Sequence, residues 1–359
     1  MQNFQTKNYF ILYVQVLYEF ILIREKNGIK MINKVLIYNS GGGLGDSIQI
    51  LPLLNALKQK FSNADFYYLS AHENHFNAKL KDLNFKIKSL NINLKYFGFR
   101  WWHAFFIGKR VKENNIDSFD LIIDLQSKFR NTFLLKIIPH KYFISSSLNF
   151  KLSNPKINIK KEEKINNTIL KALNYVFNSN LKLIEFNLNT IDKKFFDESL
   201  RLLPKNNYIG FSITQGNLYR KKMWPLENIV KICKELKKIN KIPVFFIEKD
   251  NIDLKKNISE LIPNAIFPEH ESKLNSPALV SCLGKRLEFV ISIDNGVMHM
   301  LSLSKVPMLI LFGPTRSEKF APNYDGINII DSKKLYNTSR LSSISAEDVL
   351  KAAKQYLNF

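Results

Sequence analysis

Asp294, Asn295, Gly296 and His299 crowd into a short stretch between two apolar runs, Phe289 to Ile293 and Met308 to Phe312. An aspartate at a strand end, an Asn-Gly turn and a histidine opening a short apolar helix make a denser polar cluster than packing requires. The chemistry it suits is holding an anion. A helix start offers free backbone N–H groups, and a glycine lets a ligand approach the backbone closely. A lone histidine also serves as a core or cap residue, and that plainer role stays open for His299. Strand, turn, helix and strand together form one βαβ unit. Its polar groups stand at the carboxyl end of the first strand, where open α/β sheets bind ligands.

Two further clusters sit between an apolar run and a helix. Gly41-Gly42-Gly43-Leu44-Gly45-Asp46 follows the run Lys34 to Asn39 and precedes a helix expected over Ser47 to Phe61. It is not a P-loop, which would end in Gly-Lys-Ser/Thr. A dinucleotide site would want an acidic residue at the end of the second strand, and Asp65 stands at its beginning. Asp46 reads either as an N-cap or as a general base facing a cleft. These roles conflict, because a helix N-terminus favours the carboxylate and weakens it as a base.

The last cluster, Gly216 to Pro225, carries Arg220-Lys221-Lys222 ahead of Trp224-Pro225. Three cations at a strand's carboxyl end could neutralise a diphosphate, although a solvated charge run would look the same. A proline in the first turn of a helix shapes the loop before it. No carboxylate pair or histidine cluster suggests a metal. Cations must therefore stabilise any diphosphate leaving group, and no cofactor is called for.

The elements that must position these groups alternate. Strands are expected at Lys34 to Asn39, Phe66 to Ser70, Leu121 to Leu125 and Tyr142 to Ile144, with helices at Ala104 to Asn114 and Asn166 to Phe177. A second series begins with a strand at Tyr208 to Ile213 and a helix at Leu226 to Ile239. Short strands at Val244 to Ile247 and Ala265 to Phe267 and a helix at Pro277 to Leu283 lead into the βαβ unit. Such alternation predicts parallel, doubly wound sheets. It divides the chain into an N-terminal domain at 31–190, a C-terminal domain at 205–335 and a terminal helix within 340–359, packed back on the body.

At 359 residues, 45% of them hydrophobic, the chain can bury two cores. Cys233 and Cys282 cannot make a disulfide framework and read as reduced core residues of a cytosolic protein. The net charge of +22 points to an anionic partner. Without zinc-ligand spacing or an RNA-binding aromatic motif, a membrane face or lipid-linked molecule fits better than nucleic acid. Tyr9 to Ile23 is apolar but shorter than a membrane helix needs, and no signal-peptide cleavage site follows it. Residues 1–30 read as an extension outside the fold, Met31 being the effective start, or as an interfacial helix. The aromatic, basic segment Tyr96 to Arg110 reads as a packed surface helix or as an acceptor or membrane contact.

Taken together, the motifs resemble glycosyltransferase family 9, the heptosyltransferases of lipopolysaccharide synthesis. The resemblance runs over about residues 33–325. It rests on Gly45-Asp46 followed by Pro52, on Lys222-Met223-Trp224-Pro225, and on Asp294-x-Gly296-x-x-His299 with Pro307 and Phe312-Gly313-Pro314-Thr315. The stretch holding Asp120, Asp124, Gln126 and Arg130 adds a further match. The resemblance implies an α/β fold of GT-B type, two Rossmann-like doubly wound domains facing across a cleft. It implies inverting, metal-independent transfer of a sugar, heptose, from a nucleotide-sugar donor such as ADP-heptose to a lipopolysaccharide-type, lipid-linked anionic acceptor.

Carried over, Asp46 would be the base. Lys222, Asp294, Asn295, Gly296 and His299 would hold the donor phosphates and nucleotide, and Gly43, Gly45, Gln126 and Arg130 would form the acceptor side. The enzyme would be a cytoplasmic monomer, in peripheral contact with the inner membrane face. The chain departs from the family at Glu248-Lys249-Asp250, where glycines are common, and at Leu301-Ser302-Leu303. A sugar-nucleotide epimerase of the same fold and a non-catalytic sugar-nucleotide binding protein are the competing readings.

Overall fold

The computed structural model describes residues 31–41, 43–71, 73–214 and 222–357. The expected extension at 1–30 and the cations Arg220 and Lys221 lie outside the described residues.

The apolar runs form two five-stranded parallel sheets. The first holds β1 (Lys34–Asn39), β2 (Asp65–Ser70), β3 (Lys88–Ser89), β4 (Phe119–Asp124) and β5 (His140–Ser145), in the order β3-β2-β1-β4-β5. The second holds β6 (Tyr208–Ser212), β7 (Ile242–Phe245), β8 (Leu287–Ile293), β9 (Met308–Phe312) and β10 (Ile327–Asp331), in the order β10-β9-β8-β6-β7. β4 and β9 are buried along their whole length, as parallel strands covered on both faces must be. β1 lies between β2 and β4, and β6 between β7 and β8. At those two places the winding reverses, and the loops at the strands' carboxyl ends part into a crevice.

The helices that matter below are α1 (Leu44–Gln49), α2 (Leu51–Lys60), α3 (Ile107–Lys112), α4 (Phe129–Lys136), α5 (Ile165–Phe177), α6 (Lys193–Leu202), α7 (Leu226–Lys238), α8 (Pro277–Leu283), α9 (Gly296–Ser302) and α10 (Ala346–Ala353). The single helix expected over Ser47 to Phe61 is two, α1 and α2, meeting at Ile50. Pro52 has no N–H to donate and its ring crowds the carbonyl four residues back, so it is accepted only in the first turn of a new helix. The strand expected at Ala265 to Phe267 is a lone bridge from Ile266 to Val244.

Residues 181–190 stay with the first sheet. Asn55 Nδ2 donates to Ile184 O at 3.2 Å, and Asn84 Nδ2 to Thr190 O at 2.7 Å. The chain then crosses into α6, capped by Asp192, which docks on α8. α10 packs against α7 and β9. One apolar cluster runs through both halves, joining Ile48, Leu51 and Leu54 to Leu279, Met298 and Leu301. Both cysteines are free and buried.

Candidate active site

The glycine-rich loop after β1 is organised by Asn39, a residue the sequence reading did not single out. Its Oδ1 accepts from Gly41 N at 3.1 Å and from Gln126 Nε2 at 2.7 Å, and its Nδ2 donates to Asp46 O at 3.3 Å. Asp46 is the third residue of α1, and Gly43 occupies the N-cap position. The half-buried Asp46 is therefore not the N-cap residue of its helix. It folds back over the loop: a methyl placed on Gly41 would stand 2.7 Å from Asp46 Oδ2, and one on Gly43 3.4 Å from it.

Beside it, Asp124 at the end of β4 is fully buried and accepts from Gln126 N, Ser127 N, Thr132 Oγ1 and Ser145 Oγ. Burial holds its carboxyl above the usual range despite those donors. That network fixes the loop carrying Gln126. Arg130, on α4, donates from Nε to Gly98 O at 2.7 Å.

On the facing side, β8 delivers Asp294 and Asn295 to the second switch point. Asn295 caps α9 by accepting from Met298 N at 2.8 Å, and its Nδ2 reaches Ser212 Oγ and Thr214 O, each at 2.8 Å. Asp294 is buried, and its Oδ2 accepts from Lys222 Nζ at 2.5 Å and from Thr315 Oγ1 at 2.6 Å. Lys222 Nζ also donates to Asp294 O at 2.8 Å. Lys222 is thus a buried partner of Asp294, not a member of a solvated charge run.

His299 is buried, and burial pushes its pKa down to about 4, so its ring is neutral at pH 7. Gln49 Nε2 of α1 lies 2.8 Å from His299 Nε2. The amide nitrogen can only donate, so Nε2 accepts and the ring proton sits on Nδ1. His299 is therefore a polar link between the two halves, and Gln49 is a contributor that sequence reasoning missed.

The glycines make the two halves meet backbone to backbone. A methyl on Gly45 would lie 2.7 Å from His299 Cδ2 and 3.5 Å from Gly296 Cα, while one on Gly296 would lie 3.9 Å from Gly45 N. Asp46 therefore stands one residue from a contact whose other side is two residues from Asp294 and its lysine. A loop carrying a carboxylate thus adjoins a turn backed by a lysine. That arrangement suits group transfer from a leaving anion.

The sequence model of glycosyltransferase family 9 (heptosyltransferase) matches residues 106–350, more than half of the chain. The chain belongs to glycosyltransferase family 9. This glycosyltransferase is similar in fold to the family 9 glycosyl transferase from Veillonella parvula, with 17% identity, a TM-score of 0.65, and coverage of 90% of this chain and 97% of that one. It is similar to the E. coli heptosyltransferase WaaC with ADP, with 16% identity, a TM-score of 0.63, and coverage of 90% and 100%. For the E. coli ADP-heptose lps heptosyltransferase II the values are 14%, 0.62, and 90% and 98%. No curated protein matches the chain in sequence. The two facing sheets are the GT-B arrangement.

Next to the Asp294 turn the transferase has a cavity of about 950 Å³, lined among others by Thr214, Trp224, Glu248 and Asp250. Trp224 is buried and its indole N–H donates to Ile344 O at 3.0 Å. In the departing loop, Thr214 Oγ1 donates to Glu248 Oε1 at 3.1 Å, while Lys249 Nζ turns away to Ser272 O at 2.5 Å. Among the described residues, no group of three or more His, Cys, Asp or Glu side chains could hold a metal ion.

Proposed function

We propose that this transferase moves heptose from ADP-heptose to a lipopolysaccharide-type acceptor, inverting the anomeric centre and using no metal. The family is described as heptosyltransferase, and the E. coli neighbours carry ADP in one structure and ADP-heptose in the name of another. The observation that supports the reading is the contact between Gly45 and the start of α9, which brings the loop carrying Asp46 beside the turn that follows Asp294.

Asp46 takes the proton of the acceptor hydroxyl as its oxygen bonds to the anomeric carbon. The bond from that carbon to the diphosphate oxygen breaks, and the electron pair leaves with the diphosphate. Lys222, held in place by Asp294, supplies positive charge there, and the Asn295-Gly296 turn admits the phosphates to the backbone. The cavity beside Trp224 takes the nucleoside. Gly43, Gly45, Gln126 and Arg130 form the acceptor side. Positioned base help is typically worth 10²- to 10⁴-fold, and charge stabilisation at the leaving group usually contributes more.

A mass-spectrometric transfer assay with ADP-heptose and a deacylated lipopolysaccharide core tests this. Asp46→Ala is expected to lose transfer by at least 10²-fold, while its donor-induced rise in melting temperature persists, since any ligand of the folded state adds stability. Retained turnover would remove Asp46 as the base. Donor consumption without acceptor would mark an epimerase, and binding with no transfer a binding protein. A panel of sugar nucleotides read by the same thermal shift tests the choice of donor.

A further inference from the structure

One face of the N-terminal half has the wrong character for water. In the helical turn Trp101–Phe105, Trp101 and Trp102 are 52% and 53% exposed and Phe105 is 84% exposed. Phe106 follows, and Phe129 and Phe133 of α4 are also exposed. The rings adjoin: Trp101 lies 6.4 Å from Phe129 and 6.0 Å from Phe133, centroid to centroid. Tyr96 and Phe99 extend the patch, Phe99 lying beneath the Arg130 guanidinium. An aromatic side chain of this size offers roughly 150–250 Å². Several of them half uncovered form a patch larger than scattered surface hydrophobes leave, which marks an interaction site.

The charges around the patch select its partner. Residues 95–112 carry Lys95, Arg100, Lys109, Arg110 and Lys112 and no acidic residue. Residues 125–138 carry Lys128, Arg130 and Lys136, again with no acidic residue. Arg110 reaches out of this stretch to Glu113, and Lys136 bonds Leu152 O. A protein partner would balance apolar contacts with charges of both signs. Arg100 lies over the Trp102 ring and Arg130 over Phe99, and aromatic rings in such a cation-rich stretch match a bilayer interface, where Trp and Tyr sit at headgroup depth and Lys and Arg meet anionic headgroups. Among the described residues no helix is long and apolar enough to cross a membrane.

We infer that the face formed by Trp101, Trp102, Phe105, Phe129 and Phe133 seats the protein on an anionic lipid surface. The contact is peripheral and does not rest on the proposed donor or acceptor. Arg130, one of the residues proposed for the acceptor side, bonds Gly98 O and lies over Phe99, so the face borders that side.

The chain has three tryptophans, two in this face and the buried Trp224, so fluorescence of the full-length protein reports on the patch. Vesicles of phosphatidylglycerol and phosphatidylcholine are titrated in, then vesicles with brominated acyl chains. The expected result is a blue shift and quenching with anionic vesicles, weakening by at least tenfold when salt rises from 50 mM to 500 mM. Co-sedimentation should fall at least tenfold in Trp101→Ser/Trp102→Ser. The exposed-charge variant Lys109→Glu/Lys112→Glu should lose binding similarly with an unchanged melting temperature. No vesicle binding, or binding that both variants retain, would overturn the inference. So would a concentration-dependent dimer that Trp101→Ser/Trp102→Ser dissociates, because the face would then belong to a second copy.

Discussion

Lys222 lies within hydrogen-bond reach of both the carboxylate and the carbonyl of Asp294, so its charge is compensated before any donor arrives. Removing one member of a buried ion pair leaves the other uncompensated, at a typical cost of 3–5 kcal/mol. Lys222→Ala is therefore expected to lose about that much in urea unfolding, since Thr315 alone remains on Asp294 Oδ2. Lys222→Ala/Asp294→Asn should recover most of the loss. Donor affinity separates two roles in the same variants. If Lys222 itself holds the diphosphate, the double variant stays weak for donor; if affinity returns with stability, Lys222 only props Asp294. Gly41 offers a probe of the proposed base that leaves its carboxylate in the chain. A Cβ there would stand 2.7 Å from Asp46 Cβ and Oδ2, closer than real contacts allow, so Gly41→Ala must displace the carboxylate. It should lower kcat at least tenfold with donor Kd unchanged; equal kcat would mean that the position of Asp46 does not matter.

At the scale of elements, the site depends on how closely α1 approaches α9. Gly45→Ala would drive a methyl against His299 Cδ2 at 2.7 Å with Gly296 Cα behind it. Overpacking of this kind costs about 1–3 kcal/mol. The variant is expected to melt lower and to lose transfer more than donor binding, because it separates the two sides without touching the cavity beside Trp224; a wild-type transfer rate would show that α1 and α9 need not meet. How legible these elements are in the sequence follows from the range of the forces behind them. β1, β9 and α8 match their expected bounds residue for residue, because a doubly covered strand is an uninterrupted apolar run and Ser276-Pro277 marks a helix start. β3 is two exposed residues, Lys88 and Ser89, with no pattern to read. In β10, Asn328 interrupts the apolar run. The clusters at Gly41 to Asp46 and Asp294 to His299 were visible from residue types at strand ends. Asn39 ends β1 and Ser212 ends β6, with Thr214 two residues on, and the same rule could have found them. The link between Gln49 and His299 spans 250 positions, and no local signal encodes it.

For the whole molecule, the two halves are joined by contacts of unequal worth. Lys305–Glu185 and Arg316–Glu163 are solvent-accessible ion pairs, and such pairs contribute little. Ser276 Oγ to Asp82 Oδ2 at 2.6 Å and the buried His299–Gln49 link are better protected from solvent competition. This makes the joint sensitive to pH. Burial holds His299 down to about 4 from 6.5, so between those values the unfolded chain binds a proton that the folded protein refuses. Stability then rises with pH across the window, is complete above about 6.5, and loses at most about 3 kcal/mol from this group on acidification. Glu269 works in the opposite sense. Burial and the neighbouring Glu248 carboxylate raise it to about 8 from 4.5, so the folded protein keeps a proton that the unfolded chain releases, and stability falls as pH climbs through that range. Between about 4.5 and 6.5 the two slopes oppose each other, and above about 6.5 the Glu269 slope stands alone, so the expected profile falls on its alkaline side. In His299→Gln, scanned from pH 4.5 to 8.5, the balance below about 6.5 should tip toward Glu269 and stability there should rise less with pH than in the wild type, while the alkaline limb is kept; in Glu269→Gln the alkaline limb should flatten and the rise up to about pH 6.5 should steepen. His103, His140 and His270 are also held low by burial and add to the slope of His299's sign. A profile below about pH 6.5 unchanged in His299→Gln would show that the joint between the halves does not depend on a neutral His299.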